Sequence, residues 1–344
     1  MISVINTAEG LLEKRSFIDS LFGNFGDIYL QEYRSLLADF YTKKAGDYSV
    51  FINEGNRLVS AFEKKSEKTW QCTMSAYPVL CEKEASKTTL IDFFDEIQRE
   101  LGVTTLYFPL VYERCKTFET LRDISQFNFW KRLPCPVING DFSLPIIWNR
   151  VLDRYGSRAN RQKKKFESKL VVKSIDISDL DAIIEKVETN SWKKLFSQDM
   201  LSRGNQFIYY TNIIKSGLAD ITVAFDEEID QAVAFRIDSM INRVLYVIKW
   251  SYDENYKQYS PGFYLLAVDL FKKYSGQDLK FIDLYGSPDM LKNQIETDRL
   301  ERFDICYSSD EGEVESIKTE RTAFDNKIFN NYRSKQSVKK IFNN

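Results

Sequence analysis

A serine-proline-glycine segment in the second half of the chain is the part of the sequence best suited to binding a ligand. Ser260, Pro261 and Gly262 lie between an aromatic loop and the apolar run FYLLAVDLFKKY. Serine at the cap and proline at the first helical position predict that a helix begins here. A helix start presents free N–H groups and the positive end of the helix dipole, so it suits a pyrophosphate. Many helices begin in this way without a ligand, and that alternative stays open.

The absence of histidine limits the chemistry that this chain of 344 residues can perform. It removes the usual general base near neutral pH and excludes Ser-His-Asp and Cys-His catalysis in their usual forms. It also removes the commonest ligand of zinc, copper and haem, and no cysteine or carboxylate cluster has ligand spacing. Proton transfer must therefore use carboxylates, tyrosine, cysteine, lysine, water or the substrate, and no metal site is expected.

Short strands and amphipathic helices alternate in both halves of the sequence. In the first half, apolar runs and periodicity predict strands at 49–53, 58–62, 69–76 and 104–112 and helices at 89–101 and 118–130. In the second half they predict strands at 220–225, 231–237, 243–251, 280–285 and 302–307 and helices at 177–188, 207–216, 262–274 and 288–296. The similar order of elements suggests an internal duplication.

A proline-rich extended piece at 133–140 marks a candidate domain boundary. We predict a degenerate N-terminal domain over 1–140, a basic linking helix over 141–170, a C-terminal domain with the ligand site over 171–308 and a charged tail over 309–344. The tail is expected to be poorly ordered or loosely packed.

The densest basic run of the chain lies on a long helix predicted over 144–169. Such runs are commonly solvated helix faces, and that interpretation stays open. The functional alternative is a surface for phosphates, an anionic substrate or RNA, with Arg158, Arg161 and Lys164 as its candidate residues. The formal net charge is only −2, with 48 basic and 50 acidic residues, so a large nucleic-acid surface is not favoured but a local patch is allowed.

The composition is that of an ordinary globular protein, with 43% hydrophobic and 28% charged residues. The 5 cysteines are scattered and form no CxxC pair, which predicts reduced thiols and a cytoplasmic protein. No apolar stretch is long enough to span a membrane, and the N-terminus does not have the pattern of a signal peptide.

The segments YDENYKQYSPGFYLLAVDLFKKY (252–274) and FIDLYGSPDMLK (281–292) resemble the Gcn5-related N-acetyltransferase (GNAT) superfamily. The closest branch is the two-domain one that holds the cellulose-biosynthesis-type acetyltransferases and the Fem-type aminoacyltransferases. A second match lies upstream, in the piece CPVI at 135–138, Trp148 and the basic run at 158–165. The resemblance covers about 135–307, and the N-terminal half matches only in pattern.

The resemblance implies an α/β (α+β) fold of two tandem GNAT-like domains, each a mixed, mostly antiparallel sheet flanked by helices. It implies an N-acyltransferase whose active site lies in the cleft between the domains. The acyl group would pass from acyl-CoA, or an acyl carrier protein, to a primary amine of a biosynthetic intermediate such as an amino sugar, amino acid or peptide. Coenzyme A would enter as a co-substrate.

Candidate roles follow from the resemblance. Asp283 is the first candidate to take the proton of the amine, and a purely structural carboxylate is the alternative. Tyr252 and Tyr285 are candidates to protonate the leaving thiolate. The residues expected to bind the donor are Lys249, Trp250, Ser251, Tyr259, Ser260, Pro261, Gly262, Phe263 and Tyr264. Asp289 and Lys292 join Arg158, Arg161 and Lys164 as candidates for the acceptor or an anion.

Two other functions remain open. A Fem-type enzyme would take its acyl group from aminoacyl-tRNA, and the basic helix would then bind RNA. A non-catalytic GNAT-like binding module is the third hypothesis, because Phe263 and Tyr264 stand where the superfamily's phosphate loop has small residues.

Overall fold

The computed structural model describes residues 2–25, 29–81, 85–140, 142–194, 197–289 and 291–342. The strands are β1 (Ser3–Ile5), β2 (Tyr48–Asn53), β3 (Leu58–Lys64), β4 (Thr69–Cys72), β5 (Leu80–Cys81), β6 (Thr105–Tyr112), β7 (Phe127–Asn139), β8 (Leu170–Lys173), β9 (Asp220–Asp226), β10 (Gln231–Ile241), β11 (Val244–Tyr252), β12 (Phe281–Asp283) and β13 (Asp298–Ser308). Every strand predicted from the sequence is therefore found.

The main helices are α1 (Ala8–Glu13), α2 (Arg15–Phe25), α3 (Tyr33–Thr42), α4 (Lys87–Leu101), α5 (Phe118–Arg122), α6 (Leu144–Tyr155), α7 (Ser157–Glu167), α8 (Leu180–Thr189), α9 (Gln206–Lys215), α10 (Pro261–Tyr264), α11 (Leu270–Tyr274), α12 (Lys292–Ile295) and α13 (Glu311–Phe342). A π-helical turn, Leu265–Asp269, joins α10 to α11, and we call these three pieces the 261–274 helix.

All the strands belong to one sheet with the order β1-β2-β3-β4-β6-β13-β7-β12-β11-β10-β9-β8, and β5 pairs with β3. Most neighbours are antiparallel. The parallel pairs among the described strands are β4 with β6 and β11 with β12. Each parallel pair is joined through a helix, as a parallel connection requires. Strands β1-β2-β3-β4-β6 thus repeat as β8-β9-β10-β11-β12, and the predicted duplication is visible as two tandem halves.

The two halves exchange their last strands. β7 follows the first half in sequence but pairs with β12 of the second half, and β13 follows the second half but pairs with β6 of the first. β7 and β13 pair with each other at the centre of the sheet, from Asp298↔Val137 to Tyr307↔Phe127. The sheet is consequently continuous across the proposed domain boundary.

Three predicted helices differ from the structure, and that predicted at 288–296 is found only as α12 (Lys292–Ile295). The helix predicted at 118–130 ends at Arg122, and β7 begins at Phe127, because the aromatic residues of FNFW alternate with the period of a strand. The long basic helix is divided into α6 and α7 at Gly156, whose φ of 57° and ψ of −149° are not helical. This backbone conformation is open mainly to glycine.

The expectation of a loosely packed tail is wrong for the first turns of α13. Val314 and Ile317 are buried against Tyr107 and Cys306. A buried ion-pair network also holds the helix, because Arg132 on β7 contacts both Asp304 on β13 and Asp325 on α13. The first turns of α13 thereby pack against the strands that the halves exchange.

We expect Arg132→Ala to lower the free energy of unfolding by about 3 kcal/mol, because it leaves the fully buried Asp304 without its closest cation. Lys318→Ala is the matched control, since it breaks only the exposed α13 pair with Glu315 and should cost less than about 0.5 kcal/mol. Urea unfolding of both variants tests this, and equal losses would contradict the role given to Arg132.

Candidate donor and acceptor site

The C-terminal part of β11 has one edge without a strand partner in the described part of the chain. β11 pairs with β10 along its length, but with β12 only over Val244–Tyr246, after which β12 ends at Asp283. Residues 247–252 therefore border a gap in the sheet. Backbone N–H and C=O groups along such an edge can pair with an extended ligand.

The predicted donor residues at the end of β11 face opposite sides of the sheet, because side chains alternate along a strand. Trp250 and Tyr252 stack on each other, with ring centroids 6.2 Å apart, and pack against the 261–274 helix. Lys249 and Ser251 face the other side, where Glu188 of α8 lies close enough to influence the pKa of Lys249. The structure thus does not bring all these residues to one surface.

The 261–274 helix begins as the sequence predicts, and its glycine has a packing partner. Ser260 has a left-handed φ of 56°, and its carbonyl accepts a hydrogen bond from the Tyr264 N–H at 3.1 Å. A Cβ at position 262 would lie 2.6 Å from Cζ3 of Trp250. Glycine is therefore needed here for the close approach of β11 to the helix, whether or not a ligand binds.

Aromatic contacts attach helices α6 and α7 to this helix start. Phe263 packs edge-on against Trp148 and Tyr155 of α6, and Tyr264 stacks on Phe166 of α7 with ring centroids 3.7 Å apart. Both Phe263 and Tyr264 are buried. These two predicted donor residues hold the surrounding helices in place.

The candidate cations of the basic helix lie on the exposed face of α7. Arg158, Arg161 and Lys164 are exposed, while Ala159 and Phe166 form the buried face. No carboxylate of a described residue lies within 4 Å of the three cations. Because α7 packs beside the helix start, these cations add to the positive potential there.

Asp283 is fully buried where the two halves meet. Its Oδ2 accepts a hydrogen bond from the Tyr112 hydroxyl at 2.8 Å, and its Oδ1 accepts from the Cys135 thiol at 3.1 Å and the Tyr285 N–H at 2.8 Å. Burial and the neighbouring carboxylate raise the pKa of the Cys135 thiol to about 12, so the thiol keeps its proton. All these contacts position strands and a loop.

The loop after β12 is held by the remaining predicted residues. Lys292 is buried, and its ammonium donates to the carbonyl of Tyr285. Asp289 accepts hydrogen bonds from the N–H groups of Leu291 and Lys292 at 2.9 and 2.8 Å, which caps α12. Burial, followed by the charge of Glu254, raises the pKa of Tyr252, so that this phenol stays protonated.

Lys193 is a functional candidate that the sequence analysis missed. It follows α8, and its ammonium donates to the carbonyl of Trp250 at the edge of β11 and lies 5.4 Å from the centroid of the Trp250 ring. In the sequence it stands in an ordinary polar stretch, NSWKK, and no local pattern marks it as buried. Only the neighbouring tryptophan was a signal that this segment packs inward.

The described residues hold no group of three or more histidine, cysteine or carboxylate side chains that could bind a metal ion. The 5 cysteines are buried and unpaired with one another. No described helix is both long and apolar enough to cross a membrane.

We expect Gly262→Ala to destabilise the protein by about 1–3 kcal/mol, because the new methyl group must displace Trp250. Gly23→Ala on α2 is the matched control, since its Cβ meets nothing within 4 Å and should leave stability equal or slightly higher. Denaturant unfolding followed by tryptophan fluorescence measures both. An unchanged transition in Gly262→Ala would show that the strand and helix are not in close contact.

The pH dependence of stability should reveal the lowered pKa of the partly buried Lys193. Burial, and next the charge of Lys249, lower its pKa to about 7, Glu188 and Asp289 oppose this shift, and Lys292 adds to it. An unfolded lysine titrates near 10.4. Below about pH 7 the free energy of unfolding is therefore lowered by the full cost of a protonated Lys193 in the folded state. This cost decreases as the pH rises towards about 10.

Replacement of this lysine by methionine removes that cost. Relative to the wild type, Lys193→Met should gain stability as the pH is lowered from about 9.5 to 6.5, by about 2–4 °C in Tm. Lys44→Met, at an exposed lysine, should give a pH profile parallel to the wild type. Parallel profiles for both variants would mean that Lys193 titrates normally.

Comparisons with known proteins identify the fold. No protein-family model and no curated protein matches the sequence. Among solved structures, a conserved protein of unknown function from Bacteroides thetaiotaomicron is 11% identical, with a TM-score of 0.63 over 89% of this chain and 99% of that chain. FemX is 10% identical, with a TM-score of 0.58 over 92% of this chain and 99% of that chain.

The C-terminal domain of a putative lysylphosphatidylglycerol synthetase from Agrobacterium fabrum is also similar. It is 11% identical, with a TM-score of 0.58 over 87% of this chain and 93% of that chain. Identities this low show a common fold and no more. The mixed, mostly antiparallel sheet flanked by helices, in two tandem halves, confirms the fold class predicted from the sequence.

Proposed function

We propose that this protein is an N-acyltransferase that transfers an acyl group from acyl-CoA, or an acyl carrier protein, to a primary amine. The observation that carries the proposal is the open edge of β11 over 247–252 beside the start of the 261–274 helix. The pantetheine arm of either donor is an extended chain with two amides, and such a chain can pair with a strand edge. This arrangement would bring the thioester into the gap between β11 and β12.

The residues near this edge fit a coenzyme A donor. The helix start offers free N–H groups, and Arg158, Arg161 and Lys164 of α7 offer unpaired cations for the nucleotide phosphates. Trp250 and Tyr252 supply an aromatic surface on the same side. The residues Tyr259, Ser260 and Pro261 complete the turn at which the arm would meet the helix.

In the proposed reaction, the neutral nitrogen of the amine attacks the thioester carbonyl carbon, and the C–S bond breaks as the C–N bond is completed. Backbone N–H groups at the open edge of β11 would stabilise the tetrahedral oxyanion. The nitrogen passes one proton to a carboxylate or to water, and the leaving thiolate gains one. Tyr252 and Tyr285 are the proposed sources of that second proton, since a protonated phenol is a donor.

Asp283 is best placed as a positioning residue. Its two oxygens accept three hydrogen bonds, one of them from the N–H of Tyr285, and it is fully buried. Its role as the base that accepts the amine proton stays a prediction. A second route is offered by the surroundings of Lys193, where burial and then the charge of Lys249 lower the lysine pKa to about 7, because they would also lower the pKa of a substrate ammonium bound there.

A Fem-type transfer from aminoacyl-tRNA is the second candidate. It is favoured by the unpaired cations of α7 and by the similarity to FemX and to the domain of a putative lysylphosphatidylglycerol synthetase. The same attack would then break an ester C–O bond of the tRNA. The third candidate is a non-catalytic binding module, which would need Gly262 for the same packing against Trp250.

Thermal unfolding with CoA, acetyl-CoA, longer acyl-CoAs or bulk tRNA separates these candidates. A ligand at about 100 times its Kd adds about 2.7 kcal/mol to stability, which raises Tm by several degrees. Stabilisation by an acyl-CoA supports the first candidate, and stabilisation by tRNA alone supports the second. A carrier protein that bears an acyl group is tested as a further donor. If none of these donors raises the Tm, acyl transfer is contradicted.

The cations of α7 give a sharper test of the tRNA candidate. Each phosphate contact contributes about −0.7 to −0.9 to the slope of log K against log salt concentration. Changing Arg158, Arg161 and Lys164 together to glutamine should reduce that slope by about 2 if they bind RNA. The control triple variant changes the exposed Lys44, Lys186 and Lys280 to glutamine and should keep the slope of the wild type.

A further inference from the structure

A charged side chain is fully buried between β10 and the 261–274 helix. Arg236 lies on β10 and is completely excluded from solvent. Its Nε donates to both carboxylate oxygens of Asp238 at 2.9 Å. Its Nη1 donates to the carbonyl of Leu265 and lies 3.1 Å from Oδ2 of Asp269. One guanidinium therefore connects the sheet to the middle of the helix through directional hydrogen bonds.

The contacts of Arg236 with the helix fall at the π-helical turn. The N–H of Leu270 donates to the Leu265 carbonyl, whereas in an α-helix the N–H of Asp269 would do so. The same carbonyl accepts from Arg236, and the side chain of Asp269 is the second contact of the guanidinium on the helix. Arg236 thus holds the first and the last residue of the π-helical turn.

The π-helical turn sets the rotation of the helix start. A π-helical hydrogen bond spans one residue more than an α-helical one, and one residue corresponds to about 100° of rotation about the helix axis. Pro261–Tyr264 is therefore rotated by about 100° from the direction that it would have in an uninterrupted α-helix. In the observed rotation, Gly262 faces Trp250.

Apolar packing by itself does not select this rotation. Every side chain from Phe263 to Val268 is buried, so this part of the helix is buried around its whole circumference. Arg236 and Trp250 are direct partners on β10 and β11, and both side chains contact the helix. This pair holds the helix at two points, one at Gly262 and one at the π-helical turn.

Stability alone gives no reason for a charge at this position. Replacement of a buried ion pair by apolar residues of similar volume is often neutral or stabilising. The hydrogen bonds of Arg236 to a backbone carbonyl and to carboxylates, in contrast, are satisfied in one placement of the helix on the sheet. Such a fixed placement matters where the N–H groups of a helix start must meet a ligand.

We propose that Arg236 is a positioning residue of the donor site. It holds the π-helical turn, and the turn directs the free N–H groups of the helix start to the place beside the open edge of β11 where the donor would lie. Arg236 acts through the helix and does not touch the donor. This inference rests on the proposed function and assigns to the site a residue buried behind it.

The test variant is Arg236→Lys, which keeps the buried positive charge. Lysine lacks the planar fork of donors, so it cannot contact Asp238, Asp269 and the Leu265 carbonyl together. The matched control is Arg132→Lys, which makes the same change in the buried pair with Asp304 beside α13. Both variants are expected to lose stability, so a lower Tm does not distinguish them.

Two other measurements distinguish the variants. In protein that contains fluorotryptophan, the fluorine NMR resonance of Trp250, assigned with Trp250→Phe, should shift or broaden in Arg236→Lys and stay in place in Arg132→Lys. The Kd for CoA, measured by titration calorimetry where all variants are folded, should rise about tenfold in Arg236→Lys, because the helix N–H groups no longer meet the phosphates. The Kd should stay unchanged in Arg132→Lys.

Asp269→Asn is the second variant if Arg236→Lys does not fold. It leaves the guanidinium with Asp238 and weakens its contact with the helix. It should shift the same resonance and raise the Kd for CoA in the same direction. The proposal is overturned if the folded variants keep both the Trp250 resonance and the CoA affinity of the wild type.

Failure of the proposed function gives a different result. A wild type that binds no CoA contradicts a CoA donor, and the Trp250 resonance then decides alone whether Arg236 positions the helix start. Equal CoA binding by the wild type, Arg236→Lys and Asp269→Asn would leave the donor site in place and remove Arg236 from it.

Discussion

The fold depends on the backbone pairing of β7 with β13 at the centre of the sheet. Each of these strands completes the half to which it does not belong in sequence, so neither half has a full sheet by itself. The ladder of hydrogen bonds between them makes one continuous sheet across the chain. The orientation of the halves is therefore fixed by main-chain bonds in addition to side-chain packing.

Asp283 connects the central strands to the candidate site through its hydrogen bonds. It joins Tyr112 of β6 and Cys135 of β7 to the N–H of Tyr285, and Lys292 holds the next carbonyl of the same loop. A buried carboxylate is tolerated only when its oxygens are satisfied, so these partners are needed as a set. These contacts hold the end of β12, which borders the gap beside β11.

The two faces of β11 divide the site by chemistry. Trp250 and Tyr252 give one face an aromatic surface against the helix start, and Lys249 and Ser251 give the other a polar surface beside Lys193. In the proposed reaction of a protein without histidine, the partly buried lysines with lowered pKa values would act on a substrate ammonium in the pH range in which histidine usually acts.

The sequence by itself determined the strands and the helix start at Ser260–Gly262, because strand alternation, helix periodicity and capping are local patterns. The tandem fold class was implied by the resemblance of 252–274 and 281–292 to a known superfamily. Only the tertiary structure decided the exchange of β7 and β13, which depends on pairing between strands about 170 residues apart. It also decided that Gly262 lies against Trp250 and that the ammonium of Lys193 contacts the Trp250 carbonyl. A local pattern indicates which residues can be buried. The charges and packing around a side chain depend on residues that are distant in sequence, so the local pattern cannot predict them.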